Sequence, residues 1–129
     1  MRVLLDTHVF LWWVEGDRAL PAKARKIIAD SQTECLVSTA SVWELAIKSN
    51  LGKLKLAMPV HRYMVENLAA NAFSLLDIRI GHLGLIETLP RHHGDPFDRL
   101  LIAQALSEEL PLISADPIFR KYAVKRIWS

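Results

Sequence analysis

Short apolar runs recur along the chain, and the stretches between them carry apolar residues at helical spacing. That alternation of strand and helix constrains the fold more than any other feature. Val3 to Leu5, Cys35 to Ser38, Phe73 to Leu76 and Leu112-Ile113 read as strands, with Val124 to Trp128 as a last edge strand. Between them Thr7 to Val14, Ala22 to Asp30, Ser41 to Ser49, Val60 to Ala70, Gly81 to Thr88 and Pro96 to Glu109 read as helices, and Leu89 to Asp95 as a loop. Gly16 ends the first helix, and Pro21 and Pro59 stand at helix starts. Strands separated by helices argue for an α/β fold, a parallel sheet covered on both faces.

With 129 residues, 51% of them apolar, the chain can close one sizeable core and is too short for two, so residues 1–129 are expected to form a single domain. Repeats, low-complexity tracts and Gly/Ser/Pro-rich linkers are absent. An acid at position 6 interrupts the N-terminal apolar run after three residues, which excludes a signal-peptide apolar region there, and no later stretch reaches the roughly 18 apolar residues of a membrane helix. The lone Cys35 lies in an apolar run and suits a reducing compartment. The expectation is a cytoplasmic protein with no membrane partner. A formal charge of +2 is compatible with a nucleic-acid partner without arguing strongly for one.

In doubly wound folds ligands bind beyond the carboxyl ends of the strands, and that is where the acids fall. Asp6 follows the first strand, Glu44 lies one helical turn beyond the second, and Asp116 comes just after the fourth. Asp98, in the first turn of the long helix, shares a face with Leu101, Ile102 and Ala105 and points to the rim of the core. Each acid also has a purely structural use. Asp6 and Asp116 can cap the helices that follow them, Asp95 can cap the long helix with Pro96 behind it, and Ser41 to Glu44 fits a capping box.

Convergence decides between the readings. Two carboxylates about 5 Å apart repel by roughly 3 kcal/mol at an effective dielectric of 20, whereas a cap contributes about 0.5–2 kcal/mol. Four acids at one mouth therefore call for a cation. Carboxylates without zinc-type Cys/His spacing suit a hard divalent ion, Mg²⁺ or Mn²⁺, which can polarise a phosphodiester and activate water. The adjacent His92-His93 pair lacks zinc spacing and reads as a solvated loop, while His8 can face the site or pack on Trp12. Phe10 to Val14 reads as core or a subunit interface rather than a base-stacking surface. Lys48, Lys53, Lys55, Arg91 and Arg99 flank the expected mouth, with Lys48, Arg91 and Arg99 the candidate RNA contacts; the alternative for each is a solvated surface.

The segments Leu4-Leu5-Asp6-Thr7-His8, Ser38 to Glu44, His93 to Ala105 and Ile113-Ser114-Ala115-Asp116 resemble, in order and over nearly the whole chain, the PIN-domain nucleases and within them the VapC-type toxins of type II toxin–antitoxin systems. The string Asp95-Pro96-Phe97-Asp98-Arg99-Leu100-Leu101-Ile102-Ala103-Gln104-Ala105 carries most of that resemblance. It implies a three-layer α/β/α sandwich with a central, mainly parallel sheet, and an Mg²⁺- or Mn²⁺-dependent endoribonuclease acting on single strands. It implies also a homodimer and a small cognate antitoxin that blocks the site. The family's four acids fall on Asp6, Glu44, Asp98 and Asp116 as catalytic and metal-binding residues, with Thr7 and Ser114 in support. Two other readings compete. A phosphoacceptor receiver domain would want adjacent acids after the first strand and a lysine after the last parallel one, and has neither here; a catalytically silent RNA- or antitoxin-binding module on the same fold is separated from the enzyme by an RNA cleavage assay.

Overall fold

A computed structural model describes residues 1–129. Five parallel strands, β1 (Arg2–Leu5), β2 (Glu34–Ser38), β3 (Ser74–Leu76), β4 (Leu112–Ile113) and β5 (Arg126–Ile127), form one sheet in the order β3-β2-β1-β4-β5. Six helices cover it: α1 (Thr7–Glu15), α2 (Ala22–Ala29), α3 (Thr39–Asn50), α4 (Val60–Asn71), α5 (Ile80–Ile86) and α6 (Pro96–Ser107). A 3₁₀ turn, Pro117–Lys121, precedes β5 and was not expected from the sequence.

The three layers follow from the strand period of two. Val3 and Leu5 of β1, with Cys35 and Val37 of β2, enter one core with Val9 and Phe10 of α1, Ile28 of α2, Leu45 of α3 and Met64 of α4. Leu4 and Leu36 point the other way, into a second core with Leu101, Ile102 and Ala105 of α6 and Phe119 of the 3₁₀ turn. Both faces being buried, the strands read as continuous apolar runs, as parallel strands should.

Most element boundaries fall within a residue or two of those expected. α6 stops at Ser107 because Glu109 takes a left-handed backbone, φ +55°, and the chain turns into β4. The capping box at Ser41–Glu44 is not formed. α3 starts at Thr39, and its cap is Ser38, the last residue of β2, whose hydroxyl accepts from Ala40 N at 2.9 Å. The earlier start carries Ser41 and Glu44 into the helix body, where both are buried.

Strand order sets the site. β1 is central, the chain builds outward on one side through β2 and β3, and it returns to the other side through β4 and β5. The order reverses between β1 and β4, and the crevice past their carboxyl ends is where such sheets bind ligands.

Candidate active site

Asp6 leaves β1 at that crevice. One carboxylate oxygen accepts from Thr7 N at 2.7 Å, capping α1, and the other accepts from the Ser114 hydroxyl at 2.6 Å across the sheet reversal. Ser114 in turn accepts from Asp116 N at 3.1 Å, and Asp116 caps the 3₁₀ turn through Ile118 N at 2.9 Å. The cap readings hold for Asp6, Asp95 and Asp116, and they do not compete with a site. The Asp6 and Asp116 caps use carboxylates that follow strands β1 and β4, whose ends meet, and Asp95 at the start of α6 faces the same crevice.

Glu44 is buried against α1. The Thr7 hydroxyl lies 2.8 Å from both Ser41 Oγ and Glu44 Oε1; donating its one proton to the carboxylate, it accepts from Ser41. The other Glu44 oxygen takes the Lys48 ammonium at 2.6 Å, one helical turn on. Asp98 projects from the first turn of α6, 3.2 Å from His93 Nε2, and His93 Nδ1 lies 2.7 Å from the Tyr122 hydroxyl. Arg99 donates to that hydroxyl at 3.2 Å. Arg99, Tyr122, His93 and Asp98 thus form one hydrogen-bonded chain that ends at the recess.

Asp6, Glu44, Asp98 and Asp116 line one recess of about 280 Å³, together with Asp95 and Lys48. Burial pushes the Asp6 carboxyl above the usual carboxylate range, against the pull of Ser114 and the Thr7 amide, and nearby Glu44 adds to the rise. Asp98 is raised to about 7, first by burial and then by the charges of Asp95, Asp6, Glu44 and Asp116. That second cause shows that the acids feel one another across the recess. Lys48 is held above its usual value, chiefly by its bond to Glu44.

An anionic, all-oxygen donor set that resists its own charge is chemically suited to a hard divalent cation. As the side chains stand, each of the four carboxylates is engaged by a donor of the chain, Ser114, Lys48, His93 or the Ile118 amide, and no three acid or imidazole groups are close enough to share one ion. The fit lies in donor chemistry and shared repulsion.

Two expectations need correcting. Arg99 is not a surface contact for RNA: it is 5% exposed, and its guanidinium donates to the carbonyls of Leu89, Pro90 and His93 as well as to Tyr122. It pins the loop that carries His93 and Asp95. His92 is exposed and edge-on to Tyr122, but His93 is turned inward onto Asp98, so only half of that pair is a solvated loop. The run Phe10 to Val14 packs in or against the core as expected, and the addition is that Trp12 also lines the recess. His8 does both things foreseen, lining the recess and packing 5.8 Å from Trp12. Arg91 is exposed and outside the recess. The roles of His93 and Trp12 had no spacing signal, because each depends on a contact made across the fold.

A parallel sheet of this order with acids gathered at its reversal defines an α/β protein with an acidic recess where sheets of this kind bind ligands. The PIN-domain family model matches residues 3–125, and the chain belongs to that family. It is 29% identical over 123 residues to the ribonuclease VapC22 of Mycobacterium tuberculosis, covering 93% of this chain and 91% of that protein. Among solved structures it resembles VapBC2 from Rickettsia felis bound to a DNA fragment from their promoter, with a TM-score of 0.75, 14% identity and full coverage of both chains. A domain of a functionally unknown protein from Methanocaldococcus jannaschii superposes with a TM-score of 0.57 at 14% identity, over 99% of this chain and 90% of that one.

Proposed function

We propose that this chain is a metal-dependent endoribonuclease of the VapC toxin type, hydrolysing RNA phosphodiesters to leave a 5′-phosphate and a 3′-hydroxyl. The observation that carries the reading is the meeting of Asp6, Glu44, Asp98 and Asp116 in one recess at the sheet reversal. It is supported by family membership and by the likeness to a protein named as a ribonuclease.

In this reading the four acids hold the ion, Mg²⁺ or Mn²⁺, and orient water. When bound, the ion supplies a Lewis acid that polarises the phosphodiester and lowers the pKa of water. Ser114 and the Thr7 amide fix the orientation of Asp6, and the Thr7 hydroxyl fixes Glu44. Tyr122 and His93 fix Asp98. Lys48, anchored on Glu44 at the recess, receives a phosphate oxygen of the incoming strand. Arg99 acts at one remove, by holding the 89–95 loop.

The partner in this reading is a small cognate antitoxin that directs an Arg or Lys at the acids, since a guanidinium grips a carboxylate through two hydrogen bonds. The working protein is a homodimer in the cytoplasm, where the buried Cys35 thiol, raised to about 11 by burial, stays protonated. No helix is long and apolar enough to cross a membrane. Two experiments test the reading. Purified protein should cleave single-stranded RNA with Mg²⁺ or Mn²⁺ and not with EDTA; metal-independent cleavage, or none, refutes the enzyme. Expression alone should arrest bacterial growth, and co-expression with the neighbouring reading frame should relieve it and co-purify the product. Normal growth with abundant soluble chain removes the toxin role and leaves a nuclease.

A further inference from the structure

One wall of the acid recess is aromatic. The core-facing residues of α1 are Val9, Phe10 and Leu11, and helical spacing leaves His8 and Trp12, four positions apart, on the side of the site. Trp12 lines the recess with the acids and is half-buried. Its ring centroid is 5.8 Å from those of His8 and Trp128, tilted by 43° and 45°, so neither ring lies flat against the indole. Trp13, the next residue, is used otherwise: its indole donates to Asn71 Oδ1 at 3.0 Å and is fixed against α4. Core packing and Trp128 thus hold Trp12 in place while it lines the recess.

A phosphate placed over the acids brings the base of its own or the adjoining nucleotide into the same recess. Every base offers a π-face, and aromatic side chains beside a charged track hold unpaired strands with little regard to sequence. A base inside a duplex is already stacked and must be extruded before it can use such a surface. On the reading that this chain cleaves RNA, we infer that Trp12, edged by His8, is the stacking platform for the base beside the scissile phosphate. It binds and positions substrate and takes no part in the bond-breaking step.

The test pairs a protein change with a substrate change. A short fluorescein-labelled single-stranded RNA is mapped for its cut, then remade with an abasic ribose at each position in turn. Trp12→Leu should raise KM about tenfold, the scale of one base–aromatic stack, and leave kcat within about threefold, since a contact made equally in ground and transition states moves KM alone. Trp12→Phe, which keeps a ring, should stay near wild type. In the Asp98→Asn background, anisotropy with the intact RNA should show the same loss of binding for Trp12→Leu without cleavage. With wild-type protein, one abasic position next to the cut should reproduce that loss, and with Trp12→Leu it should add nothing.

Full additivity, or Trp12→Leu equal to wild type on RNA that is cut normally, overturns the stacking role and leaves the nuclease standing. If RNA is handled normally but partner protein no longer binds, Trp12 is a protein contact and the inference is wrong. Should Trp12→Leu not fold, the abasic series on wild type decides, and no abasic penalty near the cut refutes it. RNA neither bound nor cut by wild type removes both this inference and the nuclease reading.

Discussion

Arg99→Met gives the sharpest test of how the site is held. The substitution keeps an aliphatic stem of similar length and deletes a guanidinium that donates to three carbonyls and one hydroxyl. The bonds to Leu89 O and Tyr122 are buried, while those to Pro90 O and His93 O are partly solvated and can be replaced by water. Counting only the two buried bonds, at about 1.5–2.5 kcal/mol each for a charged donor, gives a loss of about 3–5 kcal/mol. At about 2.1 cal/mol/K per residue, 129 residues give an unfolding entropy of about 0.27 kcal/mol/K, so Tm should fall by about 11–18 °C. Arg99→Lys should recover little, since an ammonium cannot fork to several carbonyls. The assay is calorimetry alongside RNA binding by anisotropy. A fall of under about 4 °C with markedly weaker RNA binding would refute the argument and restore Arg99 as a surface contact for phosphate.

Asp6→Asn, Glu44→Gln, Asp98→Asn and Asp116→Asn should each cut RNA cleavage by at least about a hundredfold with far-UV circular dichroism unchanged; near-normal rates would remove that residue from the site. In EDTA, the raised Asp98 carboxyl binds its proton more tightly folded than unfolded, so its contribution is present at low pH and is lost as pH rises from about 4 to about 7. Melts across that window should show a wild-type decline that Asp98→Asn flattens, and parallel curves would mean that the acid is not perturbed. Added Mg²⁺ or Mn²⁺ should raise the wild-type Tm by preferential binding to the folded state and raise it less in each acid variant; equal shifts in all would place the ions elsewhere.

The layers and the meeting of the four acids in one recess are legible in the sequence because both rest on local pattern. Apolar runs of strand length between helical stretches fix a covered parallel sheet, and each principal acid sits at or near a strand end or helix start. Ser38 was read as the end of a strand and Ser41 as a cap, when one residue serves as both strand end and cap; overlapping roles shift a boundary without changing the fold. Arg99 and His93 differ from their sequence pattern for a deeper reason. A charged residue beside an expected mouth reads as exposed, yet Arg99 is buried by a loop ten residues away in sequence and by Tyr122, after the next strand. Trp12 poses the same problem, since six apolar residues in a row, Val9 to Val14, do not say which of them faces a cavity.

The bond from Ser114 to Asp6 joins residues 108 positions apart, and β1 pairs with β4 only where it also pairs with β2. Contacts of that separation form late, after local helices, because a long loop must close first. On a ribosome the consequence is temporal. A nascent chain can display Asp6 and Glu44 while Ser114 and Asp116 are still in the exit tunnel, so the recess is complete only once residue 116 has emerged. A chain stalled or cleaved before residue 112 lacks one wall of the site however well its first half folds. On the reading that this chain cleaves RNA, the fold itself postpones competence until the segment beyond residue 112 has joined the sheet.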